Sequence, residues 1–380
     1  MNNDSIVVNI ERLENKITVD IDGTKIWFES QSEMKCTDNF ALWMALPFAM
    51  QLGKNLRING CLSSKALEQA RKIVKIWSTW VPRDFADIKI SSETETSQSL
   101  PLTKKSLMLF SGGVDSTFAL KEEANVLGNP IDTLTIFGMD YLPSGKNNFK
   151  RLLKKTEEFT QKYSGERHVV RSNAANAMAK SGIDGSYGHG FQLLASLYLF
   201  DKIYDEGMIA ADYSISQEYI VAPWGTCSLT NNMFLSDGYS IRTLSTDVTR
   251  AEKVESLALD SLALGSVSFC KDHGIRPENC GVCSKCVRTK AMFYATTGDI
   301  PDIFLIREFS EADLGTIDVS VKSEMVFAND IVQSAKKNGK LDDFRQLEAN
   351  LFGKGSSKKK NKKLTVLLGQ IRARKRMLLG

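Results

Sequence analysis

Residues 106–117, Ser-Leu-Met-Leu-Phe-Ser-Gly-Gly-Val-Asp-Ser-Thr, constrain the fold of this chain more than any other stretch. Four apolar residues, Leu107 to Phe110, run directly into Ser111-Gly112-Gly113, and a helical stretch follows from Asp115. The order is a buried strand, a tight glycine turn and a helix start. Such a turn presents unpaired backbone N–H groups at the positive end of a helix, which makes it an anion site. Two glycines let the backbone approach a phosphate with no Cβ in the way. The stretch therefore points to the phosphates of a nucleotide.

From residue 106 onward, strand and helix patterns alternate. Strand 106–110 leads to helix 115–127, strand 132–138 to helix 148–163, strand 167–171 to helix 190–205, and strand 207–211 ends at Asp212-Tyr213. Alternation of this kind predicts an α/β fold, a parallel sheet with helices on both faces, whose ligands bind beyond the carboxyl ends of the strands. The loops 111–117, 138–142, 172–189 and 212–226 are expected to meet in one crevice. Thr249 to Leu264 reads as a helix, with Thr249 and Glu252 in a capping-box pattern, followed by a strand at 266–269.

Three regions follow from these patterns. Residues 1–95 hold three β-branched strand runs, an Asp22-Gly23 hairpin turn and two helical stretches at 38–53 and 63–80, and read as a small α+β accessory domain. Residues 92–105 are polar, contain Pro101 and read as a linker. Residues 104–300 carry the alternating unit, and residues 301–380 form a mostly helical extension with a basic tail. Residues 351–380 hold ten Lys and Arg and no acid, which leaves the other 350 residues with a net charge of −6. The tail reads as a solvated stretch ending in a short basic amphipathic helix at 364–379, able to hold nucleic acid or an acidic partner. No apolar run is long enough to span a bilayer, and the first residues lack a secretory pattern, so the expected compartment is the cytoplasm.

Four of the seven cysteines fall within 17 residues, Cys270, Cys280, Cys283 and Cys286, three of them at CxxCxxC spacing. This set predicts a tetrahedral zinc site, structural because all four positions are filled. An iron–sulfur cluster is the competing reading. Cys36, Cys61 and Cys227 read as ordinary thiols.

Ser111-Gly-Gly-Val-Asp-Ser116 lacks the lysine of a Walker A loop and the spacing of a dinucleotide-binding turn. It resembles the SGGxDS signature of the PP-loop ATP pyrophosphatases, with their adenine nucleotide alpha hydrolase-like fold. Asn279-Cys-Gly-Val-Cys-Ser-Lys-Cys286, followed by Arg288-Thr289, is similar to a segment of 7-cyano-7-deazaguanine synthases. Together the two motifs resemble that family over residues 105–297. The added terminal regions and the segments Tyr187-Gly-His189-Gly, Ala211-Asp212-Tyr213-Ser, Pro223-Trp224-Gly225 and Thr249-Arg250-Ala-Glu-Lys253 look more like its members in anti-phage clusters, those of Qat systems and type IV CBASS.

The resemblance implies ATP-dependent activation of 7-carboxy-7-deazaguanine, then attack of an amine on the acyl adenylate. Ser111, Gly112, Gly113 and the helix start at Val114 would donate to the β,γ-phosphates, with Ser116 and Thr117 adding hydroxyls. Asp115 beside a polyanion makes sense if Mg²⁺ lies between them or if it orients the loop. Phe137 and Gly138 would meet adenine. His189, Asp212, Tyr213 and Trp224 are candidates for the deazaguanine, and Arg250 and Lys253, one turn apart, for the α-phosphate. Ammonia or a partner-protein amine from the same operon would be the acceptor. The rival readings are a tRNA-modifying PP-loop enzyme, favoured by the basic tail, and a non-catalytic ATP-binding partner protein.

Overall fold

The structure, a computed structural model, describes residues 5–97, 104–353 and 362–379. Its strands are β1 (Ser5–Leu13), β2 (Lys16–Ile21), β3 (Thr24–Ser30), β4 (Asn55–Ser63), β5 (Ile90–Thr96), β6 (Ser106–Leu109), β7 (Ile131–Phe137), β8 (Ser164–Ser172), β9 (Glu206–Ala210) and β10 (Ser240–Leu244). Among the described residues they form one sheet in the order β10-β9-β6-β7-β8-β3-β2-β1-β4-β5. The half from β10 to β8 is parallel throughout, which is the expected α/β unit. Connections leave β6 for β7 on one side and β9 lies on the other. The loop after β6 therefore sits at the point where strand order reverses, where an open α/β sheet leaves a crevice.

The first 95 residues extend this same sheet. β1, β2 and β3 form an antiparallel meander, with Asp22 and Gly23 both at positive φ in its two-residue turn. β3 then pairs antiparallel with β8 through Phe28↔Ser172, Glu29↔Arg171 and Ser30↔Val170. The helix Asn39–Leu52 is buried on nearly every side because it is packed from both directions. Its Trp43 lies 4.8 Å from the Phe234 ring and 5.9 Å from that of Tyr198. Sheet and core thus both run across the boundary expected near residue 95. Residues 90–96, expected in a linker, form the edge strand β5 on β4. Residues 98–103 of that linker and 354–361 of the Lys-rich stretch lie outside the described residues.

Other departures have local causes. The helix expected at 148–163 is two helices, Lys146–Lys155 and Glu157–Tyr163, joined at Thr156, whose hydroxyl bonds back to the Leu152 carbonyl at 2.9 Å. The helix expected at 249–264 divides at Asp260, which caps Ser261–Ser266 by accepting from the N–H groups of Leu262 and Ala263. Residues 267–270 form no strand, their backbone bonding instead to the Gly112 carbonyl (2.7 Å, from the Ser268 N–H) and the Asn279 side chain, while β10 forms where none was expected.

The helix Lys362–Leu379 is not simply solvated. Ala373 is fully buried, Arg374 makes a two-pronged contact with Asp272 at 3.0 Å, and Arg376 pairs with Glu308 at 3.0 Å. A Cβ on Gly369 would stand 2.9 Å from the Val282 side chain. The basic segment is docked on the cysteine loop. No helix among the described residues is long and apolar enough to cross a membrane.

Candidate functional site

A cavity of about 600 Å³ opens at the carboxyl ends of β6, β7 and β9. All four loops expected to converge supply its walls: Ser111, Gly113, Asp115 and Ser116 from the first, Met139, Asp140 and Tyr141 from the second, Asp184, Gly185, Ser186 and His189 from the third, and Asp212, Trp224 and Thr226 from the fourth. Its size suits a nucleotide-sized ligand.

The glycine loop is pre-shaped by its own hydroxyls. Ser111 Oγ accepts from the Gly113 N–H at 3.2 Å and lies 3.2 Å from Ser116 Oγ, while the Ser111 N–H donates to Ser116 Oγ at 3.3 Å. Gly112 has φ +72°, and a Cβ there would press within 3.1 Å of Leu152 and 3.2 Å of Thr156. The helix Val114–Leu127 begins at once, with Gly113 at its cap position, so free N–H groups face the cavity. Thr117 is fully buried with its hydroxyl unpartnered, and Val114 belongs to the core; neither side chain lines the cavity.

Asp115 is held by two cations. Arg250 Nη1 lies 3.0 Å from Oδ2 and Lys253 Nζ 3.3 Å from Oδ1. Lys253 also donates to the Ala211 carbonyl at 2.6 Å. Both carboxylate oxygens are engaged, so this geometry does not fit Asp115 as a Mg²⁺ ligand; it fits the orienting role. Arg250 and Lys253 are themselves absent from the cavity wall and reach it only through Asp115. They are buried because the helix Arg250–Ala258 is packed under the loop, so neither is placed to meet an α-phosphate directly, which corrects the role expected of them.

The third and fourth loops interlock through glycines. A Cβ on Gly190 would lie 1.7 Å from the Gly225 carbonyl oxygen, and one on Gly225 would meet the His189 ring at 2.6 Å. That contact brings His189 against Trp224, with ring centroids 5.1 Å apart and edge to face. Asp212 Oδ2 accepts from Trp224 Nε1 at 2.8 Å and from Thr226 Oγ1 at 2.6 Å. Burial works against this carboxylate, but His189 and the two hydrogen bonds, with Arg250 beyond, hold it below the usual carboxylate range. His189 Nδ1 lies 2.8 Å from the Gly185 carbonyl, which only accepts, so that nitrogen carries a proton. Nε2 lies 3.2 Å from Thr226 Oγ1. Thr226 Oγ1 thus bridges the Asp212 carboxylate, to which it donates, and the His189 ring. Tyr213 lies behind this wall, stacked 4.8 Å from Phe327, and does not line the cavity.

Phe137 is turned away as well. It stacks on Phe149 at 4.6 Å and lines a different concavity, and Gly138 is not on the wall. Both expected adenine contacts therefore fall outside the main cavity. Strand end β7 serves it instead through Thr135, Ile136 and Asp140.

The four cysteines are all buried, and their sulfurs lie within 4.8 Å of one another. Backbone N–H groups point at them, Asp272 at Cys270 (3.4 Å), and Val282 and Cys283 at Cys280 (3.4 and 3.3 Å). Hydrogen bonds from Cys270, Cys280 and Cys286 draw Cys283 far below an ordinary thiol. Donors of this type, number and spacing fit a metal such as zinc.

The same loop contributes a residue that motif reading passes over. Lys285, between Cys283 and Cys286, lines the cavity. Burial pulls its ammonium down, Asp140 opposes this, and Arg276, Arg250 and Arg288 add to the fall. Arg276 joins the Asp140 carboxylate (3.1 Å) and carbonyl (2.7 Å) to the cysteine loop. Thr226 is a second such residue; its signal in the sequence is its place two residues after Trp224.

No family model, curated protein or solved structure matches this chain.

Proposed function

We propose that the chain is an ATP-dependent carbon–nitrogen ligase of the PP-loop class, similar to 7-cyano-7-deazaguanine synthases. It adenylates the carboxylate of 7-carboxy-7-deazaguanine or a related deazapurine and passes the acyl group to nitrogen. The product is an amide, a nitrile or a conjugate with a partner-protein amine, in cytoplasmic anti-phage defence. The observation that carries this reading is the meeting of the Ser111-Gly112-Gly113 loop and the cysteine loop's Lys285 in one cavity at the strand-order reversal.

In this reading the loop N–H groups, Ser111 and Ser116 take the leaving pyrophosphate as a substrate carboxylate oxygen attacks the α-phosphorus. Lys285 offsets the negative charge brought together there. The amine then attacks the acyl carbon, AMP leaves carrying the carboxylate oxygen, and the amine proton passes to the His189–Thr226–Asp212 wall, giving an amide; a nitrile needs a second ATP to adenylate the amide oxygen, which departs with AMP as the nitrogen gives up its remaining protons. Asp212 remains ionised and faces the cavity, suited to accept from the amino and ring N–H groups of a guanine-like edge, with Trp224 as its flat neighbour. A divalent ion would screen the phosphates during transfer.

Mass spectrometry of the full chain with ATP, 7-carboxy-7-deazaguanine and candidate acceptors tests the reading. The expected result is pyrophosphate with an amide, nitrile or conjugate mass, all lost in Asp115→Ala. Pyrophosphate release unchanged in that variant would overturn the PP-loop assignment.

A further inference from the structure

A second feature lies on the other side of the helix Lys146–Lys155 from the ATP-type cavity. Two concavities of about 680 and 580 Å³ adjoin there, sharing Leu153, Arg167 and Val169. Together they make one groove between this helix and a face of β8 and β3. Lys146, Lys150 and Lys154 stand along its helical wall. They are four residues apart, so they form one stripe with a spacing of about 6 Å. Arg167 and Arg171, four residues apart on a strand, share the facing wall.

These cations are poorly compensated. None of the three lysines meets a carboxylate at ion-pair distance among the described residues. Arg167 turns its guanidinium inward, donating to the hydroxyls of Thr156 (2.9 Å) and Thr135 (3.3 Å) and lying 5.5 Å over the Phe110 ring, with its buried Nη2 unpartnered and no carboxylate at ion-pair distance among the described residues. The acids in the groove are Glu29, shared between Arg171 (3.3 Å) and Lys16 (3.5 Å), and Glu157 at the far end. Five cations therefore face two acids. Half-exposed Trp27 lies two residues from Glu29 on the same sheet face, with Arg171 at 5.1 Å and Lys16 at 5.6 Å over its ring.

We propose that this groove binds single-stranded nucleic acid, its phosphates following the Lys146–Lys150–Lys154 stripe and one base stacking on Trp27. The evenly stepped cations suit a chain of successive phosphates rather than one anion. An aromatic ring that already draws cations suits an unpaired base and its phosphate, which a duplex does not offer.

The test is fluorescence anisotropy of a labelled oligouridylate with the full chain across a salt series. The triple variant Lys146→Glu/Lys150→Glu/Lys154→Glu is expected to weaken binding by more than about tenfold and to flatten the log–log salt slope by about 2, since each phosphate neutralised on a single strand sets ~0.7 of that slope. Lys150→Glu alone gives about one third of that change in slope, and keeps the test open if the triple variant does not fold. Trp27→Ala is expected to weaken binding with the slope unchanged, the signature of stacking. Binding unaffected by the lysine variants overturns the proposal. So does loss on Arg372→Glu/Lys375→Glu, which would place the strand on the tail. Displacement by polyglutamate as readily as by oligouridylate, with Trp27→Ala silent, assigns the groove to an acidic protein and overturns it as well.

Discussion

Lys253, with no solvent exposure, donates at once to Asp115 in the first turn after the glycine loop and to the carbonyl of Ala211 just beyond β9. One ammonium therefore joins the two strand ends that flank the strand-order reversal. Arg250, a turn away, takes the other Asp115 oxygen. The loop's shape is thus fixed from below by charge, while its upper side stays free for a ligand.

Lys253→Met removes the charge and strands Asp115 in a site with one remaining cation. Breaking a buried pair this way costs about 3–5 kcal/mol, read as a fall in unfolding free energy in denaturant. Adding Asp115→Asn to Lys253→Met should recover part of that loss without restoring pyrophosphate release. A cost under about 1 kcal/mol for the single variant would mean that the pair does not hold the loop.

Lys285→Gln separates chemistry from the metal centre. Removing one preorganised charge at a reacting group costs about 10²–10³ in kcat. The expected outcome is a loss of that size in ATP–pyrophosphate exchange, with metal content and thermal unfolding unchanged. If metal content falls in step with activity, Lys285 acts by supporting the loop and its role in the cavity is wrong.

The cysteine set predicts one zinc per chain by elemental analysis, and loss of it in Cys283→Ser. Chelation should raise amide exchange at 270–286 and at 366–379 together, because Arg374 and Gly369 rest on that loop. Iron with visible absorbance in place of zinc would favour the cluster reading of the same four thiols.

Asp201 makes folding depend on pH. Burial lifts its carboxyl to about 7, although Thr37 donates to it through its N–H at 2.7 Å and through its hydroxyl. The unfolded value is about 3.9, so between about pH 4 and 7 the folded chain binds more protons and its stability falls as pH rises. Below that window the contribution is fully present. Asp201→Asn should flatten this part of a stability–pH curve measured by denaturant unfolding; an unchanged slope would assign it to other groups.

The parallel half of the fold was legible because Leu107–Phe110 is buried on both faces and leads into a glycine turn, a pattern with few other solutions. The Thr249–Glu252 capping box was legible too, and both of its hydrogen bonds form. Pairing between distant strands was not: β3 meets β8 through three residue pairs, and the one complementary pair among them, Glu29↔Arg171 in ion contact at 3.3 Å, is too common a combination to single out a partner 142 positions away. β10 was hidden because only one strand pairs with it and Ser240, Arg242 and Thr243 break its apolar pattern. Within the site, the loop ends were readable from topology alone. Which side chain on each end faces the ligand was not: Tyr213 and Phe137 found aromatic partners elsewhere, while Lys285 is aimed by the helix that starts at Ser284.

The contact between Arg374 and Asp272 spans 102 positions of the chain. During synthesis the four cysteines are therefore complete long before their cover emerges. For that interval the thiols can take up an ion, exchange it or be oxidised. Docking of the late helix onto Asp272 and Val282 then covers the loop that carries them.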